Sequence, residues 1–326
     1  MGKFNDTGIN HGFRAGAFVL ALAAMLLAIL GCKRNEPASA GNSSGKINVA
    51  VTIFAPYDFV RNIAGEKVNL FMLLPPGSES HSYEPSPRDI IAIQNSDIFI
   101  YTGGESDKWV NRILQSMDSG RMKILSMMEA VEAVEEETTE GMEVNEAGEE
   151  KEYDEHVWTS PQNAILIVRS ITELLCEADA ANGELYRQNA NAYIDRLEQL
   201  DDLLKGISGG GKRKTIVFGD RFPFRYFADA YSLKYFAAFP GCSAETEPSA
   251  ATVAFLIRKV KEEKIPVVFH IELSNERMAD TISEETGAIK LLLHACHNIT
   301  KRDFDAGLGY LDLMGANAEN LRKALN

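Results

Sequence analysis

Of six histidines, His81, His156, His270, His294 and His297 fall beside apolar β-rich runs or ahead of helix starts rather than inside helices, and His11 lies near the N-terminus. In open parallel sheets, ligands bind where loops leave the carboxyl ends of strands, so imidazoles placed there could converge on a metal ion. Two of the five share a local pattern. His81-Ser82-Tyr83-Glu84-Pro85-Ser86-Pro87 and His156-Val157-Trp158-Thr159-Ser160-Pro161 each put a histidine in a loop ahead of a Ser-Pro helix start. In both, an aromatic follows two residues later, where it could pack under the imidazole and hold the ring. A third cluster, Leu293-His294-Ala295-Cys296-His297-Asn298, follows an apolar strand. Its imidazole and thiol groups suit zinc or another borderline-soft metal. His297 is the ligand candidate there, and His294 and Cys296 are expected to be structural.

Other polar residues are weaker candidates. Glu245 and Glu247 read as capping or loop residues that could also donate oxygen. Glu272, just after a strand, is placed to orient a ligand imidazole, and His270, within that strand, reads as a core histidine. No HExxH motif is present to mark a zinc hydrolase. No phosphate-binding Gly-x-x-x-x-Gly-Lys-Ser/Thr loop is present, so the sequence shows no nucleotide-driven motor of its own.

The elements that must position these residues alternate. Strands are predicted at 47–54, 68–74, 98–101, 215–218, 234–239, 266–271 and 290–293. Helices are predicted at 56–64, 87–95, 161–177, 225–231, 250–263, 275–286 and 312–324. This rhythm implies an α/β fold with parallel sheets. Between its halves, Tyr186, Ala190, Ile194, Leu197, Leu200, Leu204 and Ile207 repeat at three-and-four spacing, one face of a long helix that should join two lobes. The expected division is a first lobe over 46–182, a linking helix over 183–211 and a second lobe over 212–326. Residues 129–155 break the rhythm with a crowd of glutamates and few apolar residues, the composition of a mobile, solvated loop.

The net charge of -14 argues against nucleic-acid binding. At the N-terminus, Lys3 and Arg14 precede an apolar run over 15–30 that ends at Gly31-Cys32. This is the plan of a secretory signal over 1–31, and Cys32 resembles the acylated cysteine of a bacterial lipobox. The Ser/Gly/Ala-rich stretch up to residue 45 then reads as a flexible tether to the membrane. Of the remaining cysteines, Cys176 falls in an apolar helical pattern, while Cys242 and Cys296 leave a disulfide open.

With these features together, the His81-Ser-Tyr-Glu-Pro-Ser-Pro and Asp154-Glu-His156-Val-Trp-Thr-Ser-Pro segments resemble the two histidine motifs of the zinc- and manganese-binding solute-binding proteins of ABC transporters. The resemblance covers nearly the whole chain after the signal, through the closing Tyr310-Leu-Asp-Leu-Met314 segment. It implies two α/β lobes joined by a rigid helix, with the metal in the cleft between them. It also implies a monomeric receptor, lipid-anchored outside the bacterial cell membrane, that hands its ion to permease and ATPase subunits. His81 and His156 match the family's first two ligands, and His297 aligns with the fourth. The third ligand position falls on Arg221, or on Gly219 with another gap placement. Arginine cannot ligate, so Asp220 or water would complete the shell. Three imidazoles favour zinc over manganese, which prefers carboxylate oxygens. A manganese receptor, a zinc-dependent hydrolase and a surface adhesin are the competing readings.

Overall fold

The computed structural model describes residues 45–79, 83–117, 120–142, 153–242 and 248–326. The signal segment, Cys32 and the tether lie outside them. Apolar runs bounded by Gly, Pro and Asn set the first lobe. Its elements are β1 (Ile47–Val51), α1 (Phe54–Ala64), β2 (Val68–Met72), α2 (Pro87–Gln94), β3 (Ile98–Tyr101), α3 (Lys108–Ser116) and β4 (Lys123–Ser126). The strands form one parallel sheet in the order β2-β1-β3-β4. Ser86 opens α2 with a capping box, accepting from Asp89 N while Asp89 accepts from Ser86 N, and Pro87 takes the first helical position.

Two helices lead out of this lobe, α4 (Pro161–Ala178) and α5 (Gly183–Gly210). The second lobe follows with β5 (Thr215–Phe218), β6 (Arg221–Phe222), α6 (Arg225–Ala230), β7 (Lys234–Phe236) and β8 (Phe239–Pro240). Then come α7 (Ala250–Glu262), β9 (Val267–His270), α8 (Arg277–Thr286), β10 (Ile289–Leu292), α9 (Lys301–Asp305) and α10 (Tyr310–Leu325). Its sheet is again parallel, in the order β10-β9-β5-β7, and β6 pairs with β8 in a separate two-stranded ribbon. The strand expected over 234–239 is therefore two short ones, because the chain leaves the main sheet after Phe236 to reach β6.

The linking helix α5 runs to Gly210, filling the 183–211 expected for it. It buries Tyr186, Ala190, Tyr193, Ile194, Leu197, Leu200, Leu204 and Ile207, the face marked by the sequence spacing. One apolar cluster includes these residues together with α1 and α4 on one side and α10 on the other. Each fully buried leucine there contributes about 1.5–3 kcal/mol. Polar ties reinforce the joint. Asp58 on α1 accepts from Arg61, from the Tyr193 hydroxyl on α5 and from Tyr310 N at the start of α10. Asp201 on α5 accepts from Gln162 of the first lobe and Tyr231 of the second. Among the described residues, no helix is long and apolar enough to cross a membrane.

The acidic stretch departs from expectation as far as residue 142. Glu137 accepts from Tyr235 OH at 3.1 Å and pairs with Arg225 at 2.9 Å, and Glu140 lies 3.3 Å from Lys259. Val134 N donates to Tyr226 OH, and Glu136 accepts from Cys242 N at 2.7 Å. This part of the stretch is a strap across the second lobe, because its carboxylates find cations and donors there. Residues 143–152 lie outside the described residues.

Candidate metal centre

His156 sits in the turn that connects the strap to α4. The segment Asp154-Glu155-His156 enters a short 3-10 turn, Val157–Thr159, before Pro161 starts the helix. Ser160 occupies the N-cap with no side-chain bond, unlike Ser86. The imidazole of His156 is fully buried. Asp154 Oδ1 lies 3.0 Å from its Nδ1 and also accepts its backbone N–H at 2.8 Å. A carboxylate on Nδ1 fixes the tautomer and puts the ring lone pair on Nε2, the arrangement found behind metal-ligating histidines. Burial works against the imidazolium, but the carboxylates of Asp154, Glu155 and Glu136 outweigh it and hold the His156 pKa above its ordinary value. Glu155 is itself buried, accepting from the amide and hydroxyl of Ser106.

His297 comes from the other lobe, on the loop after β10. The backbone takes a left-handed turn at Cys296 (φ 58°), which buries the thiol in the core just before His297. Glu272 holds this loop: its carboxylate accepts Ala295 N at 2.7 Å and His297 N at 3.0 Å. The carbonyl of His297 accepts Phe54 N at 3.0 Å, a main-chain bond between the lobes.

The two imidazoles meet. Their centroids are 5.3 Å apart and the rings are nearly perpendicular, at 84°. Two imidazoles bound tetrahedrally to one zinc through nitrogens about 2.0–2.1 Å away have centroids roughly 5 Å apart, so this spacing suits a shared ion. Trp158 lies against both rings, with centroids 5.6 Å from His156 and 5.0 Å from His297. It is fixed in turn by Nε1 donating to Ala295 O and by its carbonyl accepting from Tyr310 OH. The aromatic two residues after His156 thus packs under the site as its spacing implied. Gly241 stands close on the other side: a Cβ there would lie 3.2 Å from the Cε1 and Nδ1 of His156.

A cavity of about 30 Å³ opens beside the pair, bordered by Glu79, His156, Arg221, Glu272, His297 and Asn298 among others. His81 lies outside the described residues, as do Glu245 and Glu247. Among the described residues, no group of three or more His, Cys, Asp or Glu gathers to hold a metal. The candidate donors described here converge as the His156–His297 pair.

Asp220, expected among the donors, does not border this cavity. Its carboxylate accepts Arg221 N at 2.8 Å and Ile271 N at 3.3 Å, and it borders a different cavity with Gly219 and Asn275. The loop leaving β5 needs those acceptors, so the side chain turns toward its own main chain. Arg221 does face the histidine cavity, and its Nη1 donates to Glu79 Oε1 at 3.3 Å. His294 is structural, as expected: its Nδ1 accepts Cys296 N and its own amide donates to Asn317. His270 is half-buried rather than in the core, with Nδ1 3.1 Å from Ile271 O. Cys242 and Cys296 are both thiols and form no disulfide. Burial and the carboxylates of Glu155, Glu136 and Asp154 push the Cys242 thiol up, so it stays protonated.

Sequence reasoning missed the parts played by Asp154 and Glu79. An acid two residues before each histidine, Asp154 before His156 and Glu79 before His81, was the available signal.

Comparison with known proteins gives the family. The family described as the periplasmic component A of the zinc-uptake complex, ZnuA, matches residues 49–324. The high-affinity zinc uptake system protein ZnuA of Bacillus subtilis (strain 168) is 32% identical over 313 residues, covering 95% of this chain and 97% of that protein. The zinc-binding lipoprotein AdcA of Streptococcus pneumoniae (strain R6) is 32% identical over 284 residues, 86% of this chain but 56% of AdcA. Among solved structures, the metal-dependent lipoprotein YcdH of Bacillus subtilis is similar with a TM-score of 0.73 at 31% identity, over 86% of this chain and all of that one. The Zn(II)-bound ZnuA-like domain of Streptococcus pneumoniae AdcA is similar with a TM-score of 0.70 at 32% identity, over 86% of this chain and 99% of that one.

Proposed function

The chain belongs to the ZnuA family of zinc-uptake components, and from that membership we propose that it is an extracytoplasmic receptor that captures zinc and delivers it to an ABC importer. The observation that carries the reading is the pair His156 and His297, brought from different lobes to 5.3 Å in one cavity. His81, placed by its sequence motif, is the third imidazole of the proposed set. Zinc is the cargo, held for transfer, and no catalysed step belongs to this reading. Three imidazoles favour it over manganese, whose sites are richer in oxygen.

The importer supplies the permease and ATPase subunits, since this chain has no nucleotide-binding loop of its own. Acylation at Cys32 would anchor the receptor to the membrane beside them, with the stretch up to residue 45 as the tether. The receptor acts as a monomer.

The test is calorimetric titration of the metal-stripped protein with zinc and with manganese. Tight one-to-one zinc binding is expected, lost in His81→Ala, His156→Ala and His297→Ala, with manganese far weaker. Absence of zinc binding in the unaltered protein would overturn the reading.

A further inference from the structure

The cavity beside His156 and His297 measures about 30 Å³. That is room for a water or a bare cation. One border of that space is the guanidinium of Arg221, a largely buried side chain. Guanidinium keeps its proton and offers no lone pair. Alone, it would repel the ion that the imidazoles attract.

Arg221 is not alone. Its Nη1 reaches Glu79 Oε1, a contact between lobes separated by 142 residues of sequence. The other nearby carboxylates are built into the frame. Glu272 is bonded to two loop amides, Asp154 backs His156, and Asp220 turns to its own loop. Glu79 borders the cavity beside Arg221, with its carboxylate not gathered with the two imidazoles until a cation draws it in. The stretch ahead of it is pinned to the His297 loop. Gly77 N donates to Ile299 O at 2.8 Å, and Asn298 Nδ2 donates to the carbonyls of Pro75 and Ser78. Glu79 is therefore delivered to the site by the same loop that carries His297.

We propose that Glu79 is an oxygen donor to the captured cation and that Arg221 is the positioning residue that holds its carboxylate at the cavity. The proposal rests on the receptor reading above. A carboxylate has two oxygens, each with more than one acceptor direction, so it can meet a guanidinium and a cation together. Its negative charge then lies between two positive ones, which makes an arginine tolerable in a cation site. Arg221, standing where the resemblance puts a ligand, would replace that ligand by orienting one from the opposite lobe. A carboxylate beside imidazoles remains a usual zinc donor set.

The experiment measures zinc affinity by competition with a chromophoric chelator, for the metal-stripped protein and for Glu79→Gln, Arg221→Met and the double variant. Cobalt(II) visible spectra are recorded on each as a readout of the donor set. Glu79→Gln should weaken zinc binding by about 10–100-fold and alter the cobalt bands, while Arg221→Met weakens binding less and keeps them. The double variant should bind no more tightly than Glu79→Gln. Because Glu79 is 39% exposed, unaltered circular dichroism is expected for its variant. Recovery of full affinity in the double variant would mean Glu79 only neutralises Arg221, and would overturn the proposal. So would a Glu79→Gln protein that binds zinc as the unaltered one does. An unaltered protein that binds no zinc would overturn the receptor reading and this proposal together.

Discussion

In the first lobe a carboxylate, Asp154, reaches the ring of His156, whereas in the second Glu272 reaches the main chain that carries His297. Both carboxylates serve one cavity, yet they act on different links of the chain from fold to function. Asp154 sets a tautomer and a ring orientation on a turn already braced by Trp158 and the start of α4. Glu272 closes a loop whose shape includes a left-handed residue at Cys296. The difference implies that one lobe tunes donor chemistry and the other tunes loop geometry.

Removing the loop carboxylate should have the largest effect on the fold. Glu272→Ala leaves the amides of Ala295 and His297 without their acceptor, at about 1–3 kcal/mol for each buried group. The metal-stripped variant is expected to lose about 3 kcal/mol of stability in urea unfolding, and zinc should restore part of it by binding only the folded form. An unchanged unfolding midpoint, with affinity alone reduced, would break the comparison. Asp154→Asn should do the reverse. The amide oxygen can still accept a hydrogen bond, but it no longer supplies the charge behind the imidazole. Zinc affinity should fall by about 10–100-fold with little change in the unfolding midpoint. Chelator competition together with urea unfolding on both variants gives the two-by-two result that decides it.

How much of this contrast could be read beforehand depends on the range of the interaction. The strands and the long helix follow from periodicity over a few residues, and they were legible. The His156-Val-Trp158-Thr-Ser-Pro segment was legible too, because it is contiguous, and the position of Trp158 followed from it. α3 and β4 were not anticipated: Lys108–Ser116 mixes Trp109 and Val110 with Lys108, Asn111 and Arg112, and Lys123–Ser126 is a short edge strand. The strap was misread for a different reason. Its glutamates imply solvation, while Arg225, Tyr235 and Lys259, which receive them, lie far along the chain. Asp220 turns to its own loop because local main-chain amides compete for a short acid in a tight loop, and spacing does not reveal that competition.

Asp107 sharpens the comparison because it repeats the Glu272 device with no histidine beside it. Its Oδ2 accepts Thr102 N at 2.7 Å and Gly103 N at 3.3 Å in the turn after β3. Burial raises its pKa to about 7, against the help of those two amides. The folded protein therefore holds a proton on Asp107 that the unfolded chain releases near pH 4. Between about pH 4 and 7 the folded state binds more protons, so this group's contribution to stability falls as pH rises through that window. Below it both states are protonated, and above it the full cost of a buried carboxylate is present. Asp107→Asn can place its amide oxygen where Oδ2 was and keep both bonds, so the net change at neutral pH should be small, within about 1 kcal/mol. What should change is the slope: urea midpoints of the variant should decline less between pH 4 and 7 than those of the unaltered protein. Equal slopes would show that Asp107 stays ionised across the window. A buried carboxylate on two amides would then carry its charge without an imidazole near it.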